Sequence, residues 1–149
     1  MALSSVIRHI NFAITVFAAL FTVLSTAGNY WQYGDDFHLG LWKTCSDSDC
    51  IRHDIETFRA TQILMVLCCI CFGFVAGYVI LMHLMKNLSP KFMGVILLIT
   101  CLFEIAALSF YTDKMGSELL SYGWAYALGW VASILSLISG VVCVLDEAE

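Results

Sequence analysis

The sequence predicts an all-α membrane protein, a four-helix transmembrane bundle that carries a small β-structured loop on its extracellular side. Three observations lead there: a composition too poor in charge for a water-facing surface, four long runs that charge hardly interrupts, and a cysteine pair set apart from the rest. The chain has 149 residues, 60% of them apolar and 13% charged, with one proline, and a mean hydropathy of +0.86. A soluble domain carries about 25% charged and about 45–50% apolar residues, so a hydrated surface cannot be assembled from this inventory. The length suits one domain, taken as residues 1–149. Seven basic residues against twelve acidic ones, a net charge of −5, leave no basic patch, which excludes nucleic-acid binding.

The four runs place the helices. Between Arg8 and Asp35 no residue is charged, and helix one is expected over about 9–28. The next run lies between Arg59 and Lys86 and predicts helix two over about 61–85. Between Lys91 and Asp113 only Glu104 interrupts, giving helix three over about 92–112, and the stretch from Glu118 to Asp146 gives helix four over about 122–145. A spanning helix needs about 20 predominantly apolar residues to cross roughly 30 Å of hydrocarbon. Two other readings are weaker. Ser25-Thr26-Ala27 offers the small residues of a signal-peptide cleavage site, but the apolar region Ile10–Leu24 is at the upper limit for such a peptide. Burial of the runs in a soluble core fails because too little polar sequence is left to cover four of them.

Outside the bilayer lie a first loop at 29–59, a short connection at 86–91 and a second loop at 113–121. Lysine and arginine are shared almost evenly, Arg8, Lys86 and Lys91 on one side against Lys43, Arg52, Arg59 and Lys114 on the other, so the positive-inside rule does not decide the orientation. The cysteines do. Cys45 and Cys50 are the two of seven that lie outside the apolar runs, separated by the turn-forming Ser46-Asp47-Ser48-Asp49. A disulfide there requires an oxidising compartment, which puts the first loop on the extracellular or lumenal side and both termini in the cytosol; the plasma membrane is the expected location. Zinc is the rival use of such a pair, but it needs four ligands, and only His38 and His53 are near.

Within the first loop, Asn29–Tyr33 and Leu39–Thr44 are short aromatic and β-branched stretches bounded by Gly, Asp and Ser, the signature of strands and turns. Trp31 and Trp42 stand near the membrane boundary, where two roles remain open: anchors of an interfacial aromatic belt or the packed core of a small sheet. The order Trp31, Gly40-Leu41-Trp42, Cys45, Cys50 directly after a first spanning helix resembles the W…GLWxxC…C signature of the claudin, peripheral myelin protein and epithelial membrane protein superfamily. His38 through Cys50 is similar to the lens-fibre branch of that group, and Trp124 through Ala132 resembles its aromatic Y-x-LGWVA run in helix four.

That resemblance implies a left-handed four-helix bundle capped by a small extracellular antiparallel sheet, claudin-like, stapled by Cys45–Cys50, with Trp31, Gly40, Leu41 and Trp42 at its core. It also implies a non-enzymatic role in paracellular seals or pores, myelin compaction, junctions between lens fibre cells, or service as an auxiliary channel subunit. Two departures weaken the barrier reading. The loop is about thirty residues long where a claudin loop has around fifty, and Asp146-Glu147-Ala148-Glu149 replaces the Tyr-Val end with which many claudins bind junction scaffolds.

No Ser/His/Asp, Cys/His or phosphate-loop arrangement is legible, and Asp35-Asp36 with Glu56 lack a nucleophile, so no enzyme, metal or cofactor is expected. Small residues recur at fours: Gly73 and Gly77 form a GxxxG, and Ala125, Gly129, Ser133, then Ser136 and Gly140, line helix four. Such spacing lets helix backbones approach closely, within this bundle or at a dimer face; packing of the chain's own helices comes first. Glu104, mid-membrane, is unusual. It is expected protonated or hydrogen-bonded inside the bundle, with Thr22, Ser25 or Tyr126 as partners, or else docked to a partner helix or a cation. Asn87-Leu88-Ser89 matches a glycosylation acceptor but falls on the cytosolic side, and Cys143 near that boundary is a palmitoylation candidate. The first loop is acidic, Asp35, Asp36, Asp47, Asp49, Asp54 and Glu56 against Lys43, Arg52 and Arg59. Beyond the lipid bilayer, the expected partner is another membrane protein: a second copy, in the same or an apposed membrane, or a channel.

Overall fold

The computed structural model describes residues 2–46, 48–52, 56–85, 88–116 and 120–146. Asp47, His53, Asp54, Lys86, Asn87 of the glycosylation pattern, Glu118 and residues 147–149, with Glu147 and Glu149, lie outside this set. Four long helices, α1 (Ala2–Ala27), α2 (Glu56–Leu84), α3 (Pro90–Met115) and α4 (Trp124–Leu145), carry spans apolar enough to cross a membrane. The first three run past charges that bounded them in the sequence. Arg8 lies in α1, Glu56 and Arg59 in α2, and Asp113 and Lys114 in α3, because long polar side chains near a helix end reach the aqueous boundary without breaking the helix. Pro90 starts α3 at a position where the missing N–H is no loss. The Ser89 hydroxyl accepts from Lys91 N at 3.3 Å, and the Gly116 N–H closes the other end on Thr112 O at 2.8 Å.

The first loop folds into four short strands, β1 (Gln32–Tyr33), β2 (Phe37–Leu39), β3 (Lys43–Ser46) and β4 (Cys50–Arg52), and the second loop adds β5 (Ser121–Tyr122). They form one antiparallel sheet in the order β4-β3-β2-β1-β5. Two strands exceed what the sequence suggested. β4 is hidden from pattern reading by exposure of all three of its residues, and β5 by being two residues long and defined only by its pairing with β1. The Gly40-Leu41-Trp42 stretch, expected within a strand, is the connection between β2 and β3.

Inside the bundle α4 packs on both α3 and α1, and α2 packs chiefly on α3. Polarity is inverted relative to a soluble protein. Thr15, Thr22, Thr100, Glu104, Ser133, Ser136 and Ser139 are buried, while Phe17, Phe74, Leu102 and Ile134 face outward. An unpartnered hydroxyl is costly in hydrocarbon, and many find a partner on their own helix: Thr15, Thr22, Thr26, Thr100 and Thr112 each donate to the carbonyl four residues earlier, at 2.7–2.9 Å.

The small residues divide. In α4, a Cβ at Gly129 would meet Leu108 Cδ2 at 2.9 Å and Ser25 Oγ at 3.0 Å, and Ser133 is buried. Gly94 of α3 lies against Gly140, where a Cβ would stand 2.8 Å from the Gly140 carbonyl oxygen. Gly73 and Gly77 depart from the expectation of packing within the bundle. Nothing lies within 4 Å of a Cβ built at either, because α2 sits at the edge of the bundle and turns this face outward. Gly94→Ala is therefore expected to destabilise by about 1–3 kcal/mol, since backbone cannot move aside. Gly73→Ala should be neutral or stabilising by up to about 1 kcal/mol through helix propensity. Thermal unfolding of both variants in one detergent reads the contrast; equal losses would contradict this packing.

Candidate functional site

The motif residues meet where the sheet joins the helices. A helix leaves its last four carbonyls without partners, and two of those in α1 are taken by tryptophans. The Trp31 indole N–H donates to Ser25 O at 2.8 Å and the Trp42 indole to Thr26 O at 2.7 Å. Trp31 is fully buried, with its ring 4.7 Å from that of Tyr111 and 6.0 Å from that of Tyr126. It belongs to the core. Trp42 is half-buried against the same cluster, an interfacial side chain whose polar atom points into the protein.

The remaining motif positions follow from the same junction. Gly40 presses on the chain leaving α1, so a Cβ there would stand 2.6 Å from Asn29 Cα. Leu41 is fully buried, and its carbonyl accepts from Gln62 of α2 at 2.7 Å. Gln32, also fully buried, donates to Met115 O at the end of α3 at 2.8 Å and accepts from the Tyr111 hydroxyl at 3.5 Å. Tyr30 O accepts from Ala125 N at 3.1 Å in the first turn of α4. The sheet is thus tied to all four helices. Gln32, Gln62 and Tyr111 escaped the sequence reading; the one signal for Gln32 was an amide donor inside an otherwise uncharged, aromatic stretch.

Cys45 and Cys50 face each other across β3 and β4 and are joined by a disulfide. On the sheet's exterior the Tyr30 and His38 rings stack at 4.1 Å, and Trp124 lies 6.3 Å beyond Tyr30. Among the described residues no three His, Cys, Asp or Glu side chains gather as metal ligands would.

The second polar feature is inside the bundle. Glu104 of α3 is fully buried; Thr22 Oγ1 of α1 donates to its Oε1, and Ser136 Oγ of α4 donates to its Oε2 at 3.1 Å. Each hydroxyl also lies 2.9 Å from a carbonyl of its own helix, Ala18 O and Ala132 O. With one proton apiece, each hydroxyl divides its donation between backbone and carboxyl. Of the partners expected from sequence, Thr22 bonds Glu104. Tyr126 instead meets the Thr112 hydroxyl at 2.7 Å, and the buried Ser25 hydroxyl has no partner among the described residues. Ser136, read as part of the small-residue line, is the ligand that was missed. Farther along the same seam, Asn11 Nδ2 donates to Cys143 Sγ at 3.0 Å. Cys143 is therefore a buried acceptor, which removes the exposed thiol that palmitoylation needs.

A model of the PMP-22/EMP/MP20/Claudin family matches residues 3–143, almost the whole described chain. The protein belongs to that family. Epithelial membrane protein 2 of Homo sapiens is 31% identical over 157 residues, covering 89% of this chain and 90% of the relative. Lens fiber membrane intrinsic protein of Rattus norvegicus is 30% identical over 136 residues, covering 80% and 79%. Claudin domain-containing protein 2 of Homo sapiens is 27% identical over 139 residues, covering 90% and 83%. Like the family, this chain is a non-enzymatic tetraspan membrane protein.

Proposed function

We propose that the protein acts in contact between cells, or in organising apposed membranes, through its five-stranded sheet. The observation that carries this is the coupling of that sheet to the bundle: side-chain and backbone hydrogen bonds reach all four helices, so a force on the sheet is borne by the membrane anchor. A disulfide between β3 and β4 suits an oxidising, extracellular space. Plasma-membrane placement with both termini cytosolic follows from that orientation, and Arg8 of α1 and Asp146 after α4 meet at 3.8 Å at the opposite end.

A second reading is favoured by α2. Gly73, Gly77, Phe74, Tyr78, Phe92 and Ile96 line an outward-facing apolar groove of about 490 Å³, which suits a helix of a channel in the same membrane. Cells expressing the protein, mixed with unexpressing cells, separate the two. Clustering only among expressing cells is the expected result. No clustering, together with a channel that co-purifies in fixed ratio from mild detergent, would replace the first reading by the second.

A further inference from the structure

A row of side chains crosses the sheet at the end nearest the helices. His38 pairs with Cys45, and two residues before Cys45, Lys43 stands directly across from Arg52. Side chains alternate between faces along a strand, so His38, Lys43 and Arg52 share one face. Gln32 and Leu39, paired with each other and buried, point the opposite way, toward the helices. On the shared face the Tyr30 ring stacks on His38, parallel to within 5°, and Trp124 follows beyond Tyr30. Gly40 falls between His38 and Lys43, with its N–H bonded to Lys43 O at 2.9 Å. Asn29 takes the place of the missing side chain, its Oδ1 lying 3.0 Å from where a Cβ would stand. The order across the sheet is therefore aromatic, amide, cation, cation.

The polar members of this row find no partners within the chain. Like charges opposite one another in a ladder repel, and neither Lys43 nor Arg52 joins an ion pair among the described residues, where the pairs are Arg8–Asp146 and Lys114–Asp113. The Asn29 side-chain amide makes no hydrogen bond among those residues. Tyr30 and Trp124 keep 40% and 51% of their surface exposed. The whole row lies level with the helix ends. α1 closes at Ala27, two residues before Asn29, Trp124 opens α4, and Lys43 follows Trp42, whose indole is bonded to Thr26 O. From His38 on β2 to Arg52 on β4 is two strand spacings, about 10 Å, a span that takes one sugar ring and a charged substituent.

We propose that this row binds the headgroup of an acidic glycolipid in the outer leaflet of the same membrane. The C–H face of the sugar lies on the aromatic rings, whose faces are negative. The Asn29 amide donates to one hydroxyl and accepts from another. A sulfate or carboxylate bridges Lys43 and Arg52 through charge-assisted bonds, which turns their mutual repulsion into shared attraction. A phospholipid phosphate would use the cations alone, and the common anionic phospholipids belong to the cytoplasmic leaflet. An interfacial aromatic belt accounts for Trp124 and leaves the amide and the paired cations without a role. This lateral recognition shares the orientation of the contact function and is otherwise independent of it.

The test uses full-length protein in detergent micelles, loaded with galactosylceramide 3-sulfate, uncharged galactosylceramide or phosphatidylserine, and counts bound lipid by native mass spectrometry. The sulfated lipid is expected to bind about tenfold or more tighter than either of the others. Lys43→Gln with Arg52→Gln lowers its binding by about tenfold, to the level of the uncharged lipid. Trp124→Ala weakens both galactolipids and leaves phosphatidylserine unchanged. Melting temperatures in detergent show that the variants are folded, and the cation variant decides the outcome by itself if Trp124→Ala is not. Equal binding of phosphatidylserine and the sulfated lipid, or sulfated-lipid binding that survives loss of both cations, overturns the site. So does displacement of the lipid by an equal concentration of a heparin tetrasaccharide, which would place the acidic sugar in solution rather than in the leaflet.

Discussion

Replacing Trp31 by alanine is expected to remove about 3–5 kcal/mol of stability, the range for deleting a large buried aromatic, and to loosen the sheet from the bundle. The indole is fully buried, stacks near Tyr111 and Tyr126, and occupies the Ser25 carbonyl at the end of α1. Its loss opens a cavity at the junction and returns an orphan carbonyl to a place water reaches poorly. Trp31→Phe retains most of the ring packing and loses only the N–H, at a cost of about 1–2 kcal/mol. Trp42→Ala, at a half-buried position, should fall between the two. Thermal unfolding in detergent ranks the three, and amide exchange over residues 32–46 reports whether the sheet detaches first. A wild-type melting temperature for Trp31→Ala would contradict the role assigned to the junction.

Glu104→Ala is expected to cost about 2–4 kcal/mol, combining a cavity in the bundle with the loss of two interhelical hydrogen bonds, each worth on the order of 1 kcal/mol in a membrane. Glu104→Gln should stay within about 1 kcal/mol of wild type, because an amide can accept from Thr22 at one atom and donate to Ser136 at the other. Thr22→Val combined with Glu104→Ala should be less harmful than the sum of the two, since the pair shares one bond. Unfolding in detergent measures all of these. Equal damage from Gln and Ala would show that the negative charge itself matters, and would move Glu104 from helix cohesion to binding a cation or a partner.

These two residues illustrate how far sequence reasoning reaches. Trp31 and Trp42 were visible as a motif, but both are amphipathic and both stand at a membrane boundary, so composition could not separate a belt from a core. The separation depends on where the carbonyls of α1 end and on rings from α3 and α4, which approach only in three dimensions. Glu104 was visible as the one interruption of an apolar run, with Thr22 among its expected partners. Ser136 was not, because a serine at four-residue spacing serves close packing and hydrogen bonding equally well on paper. Gly73 and Gly77 show the converse failure, a packing motif legible in sequence whose face is turned away from the bundle.

What the amino-acid sequence determined by itself is what solvent dictates: four spans, because uncharged runs of that length belong in hydrocarbon, and a separate polar loop with two cysteines and a strand-like pattern. Tertiary structure alone decided which side chain closes which helix end and that the second loop completes the sheet with β5. The physical reason is one of range. Hydrophobicity acts on each segment independently of its neighbours, whereas hydrogen-bond partners and charge patches depend on residues as far apart as Thr22, Glu104 and Ser136, whose meeting no local pattern encodes.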